Sequence, residues 1–104
     1  MSRKMLSKSA FDALVASQGA NSFHLVVYWY SHAPSRADAT ALFTALLNGQ
    51  FSMSLDRSGD FCTVAFLRAD DAERIAAACP SFEWSEKTTG RVYIGDLEEL
   101  VGNG

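Results

Sequence analysis

Only two cysteines, two prolines and two histidines occur in the 104 residues, and each scarcity excludes something. A structural zinc site wants four Cys or His ligands, and this chain holds four in total: His24, His32, Cys62 and Cys79. They share no recognisable ligand spacing, so no metal site is expected. Two cysteines make no disulfide framework either; both lie in apolar company and read as buried free thiols. No apolar run approaches the roughly 18 residues of a membrane span. Met1 to Leu6 is basic but lacks the apolar stretch of a signal peptide, so a cytoplasmic protein with no membrane partner is expected. The seven glycines form neither a Walker pattern nor Gly-x-Gly-x-x-Gly, which leaves no phosphate cradle and no cofactor.

Nucleophilic catalysis fares no better. Ser31-His32-Ala33-Pro34-Ser35 sets a histidine between two serines, but adjacency in sequence is not catalytic geometry. Ser35 is better spent as a helix cap. No catalytic residue is assigned, and a non-enzymatic protein is expected. Positive charge is also scarce. Residues 1–36 carry four basic side chains against the single acid Asp12, a balance of +3. Residues 37–104 carry five basic against eleven acidic, a balance of −6. A phosphate-binding protein concentrates basic residues on one surface, so direct nucleic-acid binding is disfavoured and a basic protein surface is the better partner.

What the chain does have is apolar patterning. Its hydrophobic content of 48% with 20% charged residues is that of one folded domain, spanning 1–104. Leu6, Phe11, Leu14 and Val15 follow helical spacing and predict a helix over about 7–18, with Ser9 and Asp12 as its capping box and Gly19 as its stop. Phe23 to Tyr30 reads as a strand. Ser35 and Asp38 cap a second helix, lined by Ala39, Leu42, Phe43 and Leu46 and ended by Asn48-Gly49. Residues 51–55 and 61–67 read as a β-hairpin, with Gly59 in its loop. Asp70 and Glu73 suggest a third capping box, before a helix that Pro80 closes. Residues 82–85 alternate as a strand, 87–90 read as a turn, 91–94 as a short strand, and 96–101 as a terminal helical turn.

The order within residues 23–85 is βαββαβ, the split βαβ pattern of ferredoxin-like folds. The expected fold is therefore α+β: an antiparallel ferredoxin-like sheet, an added N-terminal helix and a C-terminal hairpin strand over 91–101. Right-handed crossovers put both inner helices on one sheet face. On the first strand Phe23, Leu25, Val27 and Trp29 point to that face, and His24, Val26, Tyr28 and Tyr30 point away. Broad amphipathic rings with little charge suit a recognition surface, and Tyr93 extends it if the last strand joins the sheet. The plain alternative is that the N-terminal helix covers this face through Phe11, Leu14 and Val15.

Two resemblances bear on function. Val27-Tyr28-Trp29-Tyr30 and the segment from Gly59 to Phe66 resemble the two strand motifs of RRM domains, which stack bases on aromatic rings. Phe61 and Phe66 stand at aromatic positions of that pattern, whereas Thr63 replaces a third and Asp60 stands where the motif has glycine. With the acidic balance, these departures disfavour RRM-like binding. The short, acidic, motif-free profile is similar to that of small phage or mobile-element inhibitors of host machinery, such as anti-CRISPR proteins. That likeness implies acids such as Asp56, Asp60, Asp70, Asp71 and Glu73 engaging a basic, nucleic-acid-binding protein complex. The expected function is a protein-binding module, an inhibitor or adaptor, contacting its partner through His24, Val26, Tyr28, Tyr30, Tyr93, Asp70 and Asp71. The rival expectation is a homodimeric ferredoxin-like domain that binds a small ligand or carries out an unidentified enzymatic step.

Overall fold

A computed structural model of the chain describes residues 4–19, 22–29, 35–57, 61–79, 81–84 and 88–94. The protein is α+β. The described elements run α1 (Lys8–Gln18), β1 (Phe23–Trp29), α2 (Arg36–Leu46), β2 (Phe51–Leu55), β3 (Phe61–Phe66), α3 (Ala69–Ala78), β4 (Glu83–Trp84) and β5 (Thr89–Ile94). The loop Ser31–Pro34, the hairpin tip with Gly59, Pro80 and the expected turn over 96–101 lie outside the described residues.

Local chemistry explains where the helices begin and end. Ser7, not Ser9, caps α1: its hydroxyl accepts the Ala10 N–H at 3.2 Å. Gly19 ends it at φ 63°, in the left-handed region open to glycine, and its N–H returns to the Val15 carbonyl. Ser35 caps α2 as expected, accepting from Asp38 N–H at 3.2 Å. The Asp70 capping box does not form, because the N-cap falls two residues earlier, at Arg68, and has no side-chain cap bond. Asp71 instead turns inward. Its carboxylate accepts the N–H groups of Asn48 and Gly49, at 2.9 and 3.0 Å, tying the first turn of α3 to the turn after α2. Lys4 closes the same region by donating to the Thr44 and Leu47 carbonyls, both at 3.0 Å, where a cation favours a helix C-terminus.

The five strands form one sheet in the order β2-β3-β1-β5-β4. In the expected ferredoxin-like order residues 82–85 would lie beside β1 in a wholly antiparallel sheet. Here β5 lies there and runs parallel to β1, while β4 is displaced to the edge. The two pairings differ in extent. β1 is seven residues long and largely apolar on both sides; β5 registers with it over six, from His24↔Thr89 to Trp29↔Ile94, whereas β4 has only two residues. The same pairing draws Thr89 and Gly90, expected in a turn, into the strand. Gly90 has a packing role there: a Cβ would sit 2.8 Å from Phe82 Cζ and 3.0 Å from Trp84 Cε3. The other edge is also modified. Residues 4–6 bond alongside β2, through Leu6 N–H to Phe51 O and Phe51 N–H to Lys4 O, both 2.8 Å.

One hydrophobic core lies between the sheet and the pair α2 and α3. Leu25, Val27, Val64, Phe66 and Val92 project from the strands, and Leu42, Phe43, Leu46 and Ile75 project from the helices. Burial of each such side chain contributes about 1.5–3 kcal/mol before conformational entropy is counted. Both inner helices thus share one sheet face. Cys62 and Cys79 are buried and not joined in a disulfide, and burial pushes the Cys62 thiol up to about 12.

Candidate binding face

The opposite side of the sheet is arranged in cross-strand rows set by register. Ser52, Ala65, His24 and Thr89 form the first; Ser54, Thr63, Val26, Arg91 and Glu83 form the second. Phe61, Tyr28 and Tyr93 form the third. Successive rows lie roughly 7 Å apart along the strands.

α1 lies over part of this face. Phe11 is 3% exposed, and with Val15 it overhangs Ser52, Thr63, Ala65 and His24, leaving a cleft of ≈ 220 Å³. Leu14 and Val15 are only half-buried. The cleft reaches the second row at Ser54 and Thr63. The third row lies one step further along the strands. Its rings are in contact: Tyr28 stacks on Tyr93 with centroids 5.0 Å apart and planes at 18°, and meets Phe61 at 5.6 Å and 41°. All three side chains are half-buried, as is Val26 beside them. Ser81 holds β5 in place, donating to the Tyr93 carbonyl at 2.7 Å and accepting its N–H at 3.2 Å.

The residues expected at a partner surface thus divide. Val26, Tyr28 and Tyr93 are brought together in one patch. His24 is exposed but belongs to the α1 cleft, where Nε2 lies 3.1 Å from Ser22 Oγ. Tyr30 lies outside the described residues, as does Asp60. Asp71 is fully buried with both oxygens bonded to backbone, so its carboxylate faces the interior. Asp70 is half-buried and pairs with Arg68 through Nε and Nη2, at 2.8 and 2.9 Å. That bidentate contact holds the Asp70 carboxyl below its ordinary range and raises Arg68.

Phe61 and Arg91 are absent from the expected partner residues yet occupy this face. Strand parity was signal enough: Phe61 alternates with the buried Cys62, and Arg91 has the parity of Tyr93. Among the described residues there is no group of three or more His, Cys, Asp or Glu that could hold a metal, and no helix long and apolar enough to cross a membrane. No protein-family model, curated protein or solved structure matches this chain.

Proposed function

We propose that this chain is a non-enzymatic, cytoplasmic protein-binding module that acts as an inhibitor or adaptor by occupying a surface on a larger partner. Its scaffold is read as a ferredoxin-like unit in which β5 has entered between β1 and β4. One observation carries the functional reading: the contiguous row Phe61–Tyr28–Tyr93, half-buried and flanked by Val26 and Arg91. Aromatic and arginine side chains are enriched in interface centres, and the aromatic rings bury much area while losing little rotamer freedom. Electrostatic attraction to a basic partner is weaker support. Asp71 is withdrawn into the interior, and Asp70 is already paired to Arg68. A role of the anti-CRISPR kind is one form of the same proposal, with a nucleic-acid-handling complex as the target.

The test is capture from the native host followed by affinity measurement with the purified partner. Tyr28→Ala and Tyr93→Ala should stay folded and lose roughly thirtyfold in affinity, the size of a hot-spot truncation. Retention of affinity by both variants would reject the face. Light scattering separates the homodimer, for which Tyr28→Ala converts a dimer to a monomer with no second protein present.

A further inference from the structure

We propose that the cleft between α1 and the β2–β3 half of the sheet binds a small uncharged molecule, a single planar ring with an amide-like edge. The site is independent of the aromatic row. Its floor is the first indication. On the inner face β2 and β3 carry Phe51, Met53, Val64 and Phe66, all buried. Under α1 the same two strands carry only Ser52, Ser54, Thr63 and Ala65. A helix laid on a sheet is held by large interdigitating side chains, and here only Phe11 is buried on α1. The space left between them is ≈ 220 Å³.

The lining sets the chemistry. Phe11 and Val15 make an apolar wall suited to a ring face, and the floor hydroxyls of Ser52, Ser54 and Thr63 make no hydrogen bond to a described residue. A hydroxyl both donates and accepts, which matches the adjacent carbonyl and N–H of an amide. Charge is not selected for at the rim, because Lys8 and Asp12 lie 3.5 Å apart and offset each other. Size is selected for. An apolar cavity of about 150 Å³ holds benzene, so a cleft of ≈ 220 Å³ suits a six-membered ring with a small substituent. Drug-sized ligands need about 300 Å³ or more.

Benzamide is the probe, titrated into the full-length isotope-labelled chain and followed by amide chemical shifts. Saturable shifts should centre on Phe11, Val15, His24, Ser52, Thr63 and Ala65, with Kd on the order of 1 mM for so small a ligand. Benzoate and benzylamine should bind several-fold more weakly. Ala65→Leu should fill the floor and abolish the response; Thr63→Val, which keeps side-chain shape, should weaken binding about fivefold. Absence of saturable shifts with benzamide would overturn the site. An unchanged response in folded Ala65→Leu and in Thr63→Val would do the same, and equal binding of the charged analogues would overturn the assigned ligand class.

Discussion

The two faces of this sheet are built from the same strands and differ in almost every physical respect. On the inner face Leu25, Val27, Val64 and Val92 are at most 1% exposed beneath two helices. On the outer face Val26, Tyr28, Thr63 and Tyr93, their immediate chain neighbours, stay half-buried. Alternation alone would have allowed both faces to be sealed, since both carry apolar side chains. What separates them is the cover. α2 and α3 each bring several apolar side chains to one core, whereas α1 brings Phe11 to buried status and spans only part of its side. Stability is concentrated on one side of the sheet, and the other side is left with rings available for recognition.

That contrast can be broken by measurement. The largest expected effect is kinetic: Cys62 is fully buried and burial pushes its thiol up to about 12, so its alkylation at pH 8 should be negligible until the chain is unfolded. Rapid alkylation of the native protein would mean that the inner face opens readily. Next in size is Phe43→Ala, which should lower unfolding free energy by about 3–5 kcal/mol in a denaturant titration. Asp71→Ala should cost about 2–3 kcal/mol, because the part-buried N–H groups of Asn48 and Gly49 both lose their acceptor. Tyr28→Ala should cost about 1–2 kcal/mol, through two ring contacts at a half-buried site. A loss as large as that of Phe43→Ala would erase the distinction between the faces.

The smallest effect belongs to the Arg68–Asp70 pair. The carboxyl of Asp70 is depressed on folding, so its contribution is present above the unfolded-state value and is lost as pH falls through the lowered folded value. Since both side chains are about half exposed, Asp70→Asn should lower the denaturation midpoint only slightly at neutral pH. A clear drop would place Asp70 in the structural role here given to Asp71.

Much of the secondary structure was legible because its causes are local. Hydroxyl caps, the left-handed Gly19, and alternation in β1, β2 and β3 act within a few residues, and α2 formed as expected from Ser35 onward. Two features had no local signature. Asp71 bonds to amides 22 and 23 positions away, and Lys4 reaches carbonyls 40 and 43 positions away. Two adjacent acids at a helix start look alike in sequence, yet Asp70 stays at the surface and Asp71 goes inside. The side of the helix on which each falls decides that, together with what packs there.

For the candidate face, alternation assigned Val26, Tyr28 and Tyr93 to one side once their strands were recognised. It could not rank the neighbours of β1. Pairing joins segments distant in the chain, and β5 matches β1 over six residues while β4 pairs with β5 over two. By itself the amino-acid order determined which residues share a face, because that periodicity is a property of the extended backbone. Only the tertiary structure decided that Phe61 and Tyr93 flank Tyr28, and that α1 leaves a cleft at His24, because both outcomes depend on contacts between segments far apart in the chain.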